Sequence, residues 1–163
     1  MNWNALIGMQ LIKGYKHLFG KGEGEGAYYK WSEAKKAVAN CKEAIRLNPD
    51  SETAHFNLGV AYINRGDWGK AIESFKQVIR FNPNEASAYH NLGVCYKELG
   101  NYEKTIELCK KAIDIKPNDA HSHYVLGTTY LKISNQSSAL DEYKILKDID
   151  KERANKLFDL IYK

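Results

Sequence analysis

The sequence predicts an all-α fold, a solenoid of stacked helical hairpins that ends in a C-terminal capping helix. The chain has only three prolines, and they lie 34 residues apart, at Pro49, Pro83 and Pro117. The pattern Leu-Gly-x-x-Tyr recurs three times with the same spacing, beginning at residues 58, 92 and 126. Between these landmarks, apolar residues recur at a helical period. A fixed period of this length is typical of units that stack on their neighbours.

Composition is consistent with one domain of this kind. Of the 163 residues, 44% are hydrophobic, enough for a folded core, and 27% are charged. The formal net charge of +4 is too weak to indicate a nucleic-acid partner. Residues 1–20 lack a charged leader followed by a continuous apolar stretch, so we expect neither a signal peptide nor a membrane span. The expected location is cytoplasmic, or periplasmic if a leader has been removed.

The three cysteines, Cys41, Cys95 and Cys109, cannot all pair within one chain because their number is odd. Cys41 and Cys109 occupy one equivalent apolar place in their repeats, and Cys95 stands where a small residue would pack between helices. We therefore expect buried, reduced thiols, which suit a reducing compartment.

Each repeat is predicted to contain two helices. In the repeat over 52–85, the first helix carries the Leu-Gly-x-x-Tyr pattern and ends at Gly66, and Asp67 is the expected N-cap of the second. The second helix carries a stripe formed by Ala71, Ile72, Phe75, Val78 and Ile79. It ends at Asn82, because a proline disfavours helical backbone in the residue before it.

The next two repeats, 86–119 and 120–151, follow the same plan. Gly100 and Asn101 form the turn in one, and Ser134 and Asn135 replace them in the other. The proline place after the third repeat is taken by Lys151.

The two ends are predicted to differ from the repeats. Residues 1–51 are expected to form a divergent, elongated hairpin, with a helix at about 4–19, a glycine-rich turn over 20–26 and a second helix. Residues 152–163 are predicted to form a capping helix, because the outermost repeat of a solenoid needs a cover. Its apolar face would comprise Ala154, Leu157, Phe158 and Ile161.

These motifs resemble the tetratricopeptide repeat family, whose pattern is Trp-x2-Leu-Gly-x2-Tyr, then Ala-x3-Phe, then Pro. The leading aromatic place holds His55, Tyr89 and His123. The resemblance implies a right-handed α-α superhelix in which the glycine lets the two helices of a repeat approach closely.

The resemblance also implies a concave groove lined by the first helix of each repeat, which would bind a peptide or helix of a protein partner. The candidate groove residues come from the three first helices. They are Phe56, Asn57, Val60, Ile63 and Asn64; His90, Asn91, Val94 and Lys97; and Tyr124, Thr128, Leu131 and Lys132. Glu98 and Val125 are expected to face the groove as well.

Two features of these residues bear on what the groove binds. Asn57 and Asn91 occupy the same place in successive repeats, and a carboxamide can both donate to and accept from a peptide backbone. Val125 interrupts this ladder, and the alternative is that the asparagines are merely solvated. Phe56 and Val60 stand where the family's carboxylate clamp needs lysine and asparagine, so that clamp is not expected. The apolar members favour an apolar partner segment, unless they pack between helices instead.

Other chemistries find little support. His121 and His123 are two apart, so on a helix they point to different faces, although His90 and His121 could meet across neighbouring repeats. Gly22, Gly24 and Gly26 follow no strand, so a phosphate loop is not indicated. Asp119, His121 and Ser122 are too close along one segment for a catalytic relay. We therefore expect no enzyme activity, metal or cofactor.

The predicted function is a protein–protein interaction module, an adaptor or scaffold. Two alternatives stay open. One is a self-assembling building block whose N-terminal helix binds a neighbour's groove. The other is a non-catalytic subunit of a larger complex.

Overall fold

The structure is a computed structural model that describes the backbone of residues 23–163 and the side chains of residues 32–163. Over this range the chain forms eight helices and no strand. They are α1 (Glu23–Leu47), α2 (Glu52–Arg65), α3 (Trp68–Phe81), α4 (Ala86–Glu98), α5 (Tyr102–Ile115), α6 (Ala120–Lys132), α7 (Gln136–Ile149) and α8 (Lys151–Ile161). The pairs α2–α3, α4–α5 and α6–α7 are the three predicted hairpins. The molecule is a right-handed α-α superhelical solenoid.

The turn inside each hairpin reverses the chain through one residue with left-handed backbone. This residue is Gly66 with φ 75°, Gly100 with φ 77° and Ser134 with φ 60°. The Asn101 side chain then accepts from the backbone N–H of Lys104 at 3.0 Å, and so caps α5. Asp67 occupies the N-cap place of α3 but makes no such bond; its carboxylate pairs instead with Arg65 at 3.0 Å.

The N-terminal prediction is partly wrong. Helix α1 already begins at Glu23, so residues 23–26 of the predicted glycine-rich turn are helical. Glycine lowers helix propensity by roughly 1 kcal/mol relative to alanine, but unlike proline it keeps its N–H and causes no clash. Gly24 and Gly26 can therefore sit in the first turn of a long helix. The predicted helix at 4–19 and the rest of the turn lie outside the described residues.

Close approach at the repeat glycines holds the hairpins together. A Cβ added at Gly59 would lie 2.6 Å from Cζ of Phe75 on α3, a ring that is fully buried. At Gly127 the nearest atom is Cδ2 of Leu157 on α8, at 2.5 Å. A larger residue at Gly59 would clash with the second helix of its own repeat, as the family pattern implies, whereas at Gly127 the clash would be with the side chain of Leu157 on the capping helix.

The contacts between helices define the curvature. Each helix packs on the next, and the first helices also contact one another, α2 with α4, α4 with α6 and α6 with α8. Within the described residues, the second helices α3, α5 and α7 do not contact one another. The array is therefore tighter along its first helices, which lie on the inner, concave side.

Helix α8 caps the last repeat, packing on both α6 and α7. Ala154, Leu157 and Ile161 are buried, as predicted. Phe158 is 42% exposed, so its assignment to the buried face is wrong. Its ring contacts the rings of Tyr143 and Tyr162 in a tilted arrangement. Successive residues of a helix are turned by about 100° around its axis, so Phe158 points away from the core that its neighbour Leu157 enters.

All three cysteines are free thiols. Cys95 and Cys109 are buried, and burial raises the pKa of each to about 12. Cys41 is half-exposed, so the expectation of burial is wrong for this thiol.

Candidate functional site: the inner groove

The predicted groove residues all lie on α2, α4 and α6, the inner helices, but their exposure differs along the array. Asn57, Asn64 and Lys132 are exposed. The others are half-buried: Phe56, Val60, Ile63, His90, Asn91, Val94, Lys97, Tyr124, Thr128 and Leu131. The candidate set thus combines freely accessible polar groups with side chains that also support the core.

The apolar members pack against the core while keeping part of their surface open. The Phe56 ring meets the buried Phe75 ring edge to face, with centroids 5.5 Å apart, and Val60 and Ile63 pack against the same cluster. Tyr124 and Leu131 pack against the cluster around Leu146 and Leu157. Each of these side chains therefore packs between helices and also exposes part of its surface to the groove.

The two asparagines differ in their freedom. One N–H of the Asn91 side chain donates to the backbone oxygen of Ser87 at 2.8 Å, which leaves its second N–H and its carbonyl oxygen for a ligand. Asn57 has no hydrogen-bond partner within the described part of the chain, so both of its groups are free. At the third place Val125 is 8% exposed and packs with Cys109 and Leu126. A ladder of carboxamides would therefore be limited to Asn57 and Asn91.

A pocket of about 330 Å³ opens where the inner helices meet the capping helix. We call it the capping pocket. Its walls are His90 from α4, His121, Tyr124 and Val125 from α6, and Glu152, Arg153 and Lys156 from α8.

A chain of polar contacts crosses this pocket. The His90 and His121 rings meet edge to face with centroids 5.9 Å apart, and His90 Nδ1 lies 3.1 Å from Oγ of the buried Ser122. Arg153 donates from Nη2 to Nε2 of His121 at 2.6 Å and from Nη1 to the Asp150 carboxylate. Burial lowers the pKa of His90 to about 4, so this ring is neutral at pH 7.

No group of three or more His, Cys, Asp or Glu side chains in residues 32–163 comes together in a way that could hold a metal ion. Over the same described part of the chain, none of the helices is long and apolar enough to cross a membrane.

Family models match most of the repeat region. A tetratricopeptide repeat model matches residues 86–119, and a TPR repeat model matches residues 26–66 and 61–100. Together these matches span more than half of the chain. The chain belongs to the tetratricopeptide repeat family. Proteins of this family are generally non-catalytic modules that bind other proteins through their curved surface.

Solved structures agree on the fold of this tetratricopeptide repeat protein. One crystal structure of MamA has a TM-score of 0.69 and 24% identity, over 91% of this chain and 79% of that chain. A second structure of MamA has a TM-score of 0.72 and 22% identity, over 99% of this chain and 82% of that chain. An Arabidopsis OM64 TPR domain has a TM-score of 0.66 and 18% identity, over 69% of this chain and 94% of that chain. No curated protein sequence matches the chain.

The sequence predicts residues 152–163 only as a cover for the last repeat, and not as an element beside the candidate groove. Helix α8 contacts α6 as one first helix contacts the next, so it continues the inner wall by one more element. Extending the 34-residue register by one step, from Ala120 to Ala154, would have aligned the cap with the first helices.

Proposed function

We propose that this protein is an adaptor or scaffold that holds a peptide or helix of a protein partner in its inner groove. The observation that carries the proposal is the alignment of accessible side chains along α2, α4 and α6. Exposed carboxamide and cationic groups alternate there with half-buried apolar side chains, such as Phe56 and Tyr124. This mixture suits a partner segment whose backbone groups form hydrogen bonds with the polar side chains and whose apolar side chains are buried against the apolar ones.

The asparagines favour a partner segment that is extended where it passes α2 and α4. A peptide in extended form exposes its N–H and C=O groups, whereas a helix uses them internally. Asn57 can both donate and accept, and Asn91 retains its second N–H and its carbonyl oxygen. Two such contacts hold a backbone without selecting its sequence.

The test begins with affinity capture of partners from the native organism and titration of the recovered segment. Replacing Asn57 and Asn91 together by Ala should weaken binding by roughly 5- to 150-fold, because each lost hydrogen bond costs about 0.5–1.5 kcal/mol. Asn155→Ala removes an exposed carboxamide from α8 and is the matched control. Unchanged affinity in the double variant, with helicity preserved in both, would rule out the carboxamide contacts.

Hydrogen exchange tests the groove itself. Partner binding should slow exchange in α2, α4 and α6 more than in the outer helices α3, α5 and α7. Protection confined to the outer helices would contradict the proposed function.

A further inference from the structure

The capping pocket presents more hydrogen-bond donors than acceptors. A guanidinium carries five N–H groups. Arg153 donates one of them to Asp150 and one to His121, so three remain. Lys156 donates to Glu152 at 2.7 Å and keeps two further N–H groups. The Tyr124 hydroxyl has no partner within residues 32–163.

His121 adds a donor. Since an arginine can only donate, Nε2 of His121 must accept, and its remaining proton lies on Nδ1. Two of the lining side chains, Arg153 and Lys156, are cationic and one, Glu152, is anionic, and each carboxylate nearby accepts at least one hydrogen bond. Asp119 accepts from the backbone N–H of Ser122 at 3.1 Å, Asp150 accepts from Arg153, and Glu152 accepts from Lys156.

The pocket therefore matches a ligand group that accepts several hydrogen bonds and carries negative charge. A carboxylate has two oxygens that accept only, and its bonds to guanidinium or ammonium groups are about twice as strong as neutral ones. The aromatic walls formed by Tyr124 and the two histidines suit the short apolar stem that carries such a group in aspartate or glutamate.

We propose that the capping pocket binds an aspartate or glutamate side chain of the partner whose chain lies in the groove. The proposal rests on the proposed function, and it adds a requirement for the partner, an acidic residue at the end of the segment nearest the cap. It also gives α8 a role in selecting the partner.

Two libraries of short synthetic peptides of random sequence provide the test, one with amidated C-termini and one with free carboxylates. The immobilised full-length protein should select, from both libraries, peptides enriched in Asp or Glu at one position. Affinity for a selected peptide should fall about tenfold in Lys156→Gln, the loss of one charge-assisted hydrogen bond. Tyr124→Phe should lower it as well, while keeping the ring in place.

Lys151→Gln is the control, because it removes the same charge from the same helix outside the pocket. A Lys156→Gln protein that keeps its helicity and melting temperature shows that a loss of affinity comes from the pocket and not from unfolding. We expect an unaltered fold, because Lys156 is exposed and its pair with Glu152 spans one helical turn at the surface.

Three results would overturn the inference. Selected peptides without acidic enrichment would contradict it and leave the proposed function standing. Acidic peptides that bind Lys156→Gln and Tyr124→Phe as tightly as the wild type would locate their carboxylate elsewhere. Selection confined to the free-carboxylate library would assign the pocket to a chain terminus instead of a side chain. If no peptide is selected from either library, the proposed function fails, and the inference fails with it.

Discussion

Ser134 is the one non-glycine residue with left-handed backbone in the described part of the chain, at φ 60°. Gly66 and Gly100 fill the same place in the other two repeats. Left-handed backbone costs a residue with a side chain roughly 1–2 kcal/mol, a cost that glycine avoids. Glycine offsets about 0.5–1 kcal/mol of this gain, because its unfolded state has more conformational entropy to lose on folding. We predict that Ser134→Gly raises the free energy of unfolding by about 0.5–1 kcal/mol in chemical denaturation.

The matched control for Ser134 is Gly100→Ser, which makes the opposite change at the equivalent turn of the preceding repeat. No atom lies within 4 Å of a Cβ added at Gly100, so the backbone alone should determine the effect. This variant should be destabilised by a similar amount. A loss of stability in Ser134→Gly would show that the left-handed backbone at Ser134 is not strained.

His123 is buried between two acceptors. Its Nδ1 lies 2.6 Å from the Glu142 carboxylate and its Nε2 lies 2.9 Å from the backbone oxygen of Pro117. Only the doubly protonated ring donates to both, and the bond to Glu142 accordingly raises the pKa of His123. His55 makes the same contact with Pro49 at 2.9 Å, but Ser74 stands in the place of Glu142.

Because the folded state raises the pKa of His123, the pair stabilises the fold fully below the unfolded value of about 6.5. This contribution declines as the pH rises through the higher folded pKa. We predict that Glu142→Gln is less stable than wild type by roughly 1.5–3 kcal/mol near pH 5.5, and that the difference shrinks toward pH 8.5. Comparing the two proteins in urea at each pH cancels the opposite effect of His90, whose pKa is lowered to about 4. A difference that does not vary with pH would show that the ring stays neutral.

At the scale of the element, α8 offers a direct test of which face is buried. Leu157 is fully buried against Gly127, whereas its neighbour Phe158 is 42% exposed. Leu157→Ala should therefore cost roughly 2–5 kcal/mol of unfolding free energy. Phe158→Ala should cost no more than about 1.5 kcal/mol, the scale of its contacts with Tyr143 and Tyr162. Equal losses in thermal and chemical unfolding would contradict the orientation of the helix.

At the scale of the whole molecule, stability should vary along the array, because each helix is held only by its near neighbours. A chain ending at Asp150 loses the surface that covers Leu146 and Tyr124. We predict that it melts at a lower temperature, binds an apolar dye, and exchanges amide hydrogens first in α6 and α7, before α2 and α3. A truncated chain with unchanged melting that no longer binds its partner would mean that α8 serves binding alone.

The sequence by itself determined the repeat period, the three hairpins, the turn positions and the family. Each depends on local signals, such as Gly66 and Asn101, or on apolar periodicity, which identifies one buried face per helix. The sequence also located the inner helices, since the same register repeats three times. The assignment of individual side chains to a binding groove stays a prediction. The sequence misplaced the start of α1, because helix propensity is a weak signal at the ends of a helix. It also assigned Phe158 to the buried face, because an apolar stripe does not show whether the residues at its edge are buried or exposed.

Only the tertiary structure decided which side chains meet across repeats. His123 and Glu142 are brought together by the approach of α6 and α7, and the capping pocket forms only because α8 docks beside α6. Arg153 reaches His121 across 32 positions of sequence, and no local pattern encodes that pairing. Periodicity specifies which face of a helix is buried, whereas the site depends on the angle and distance at which whole helices pack.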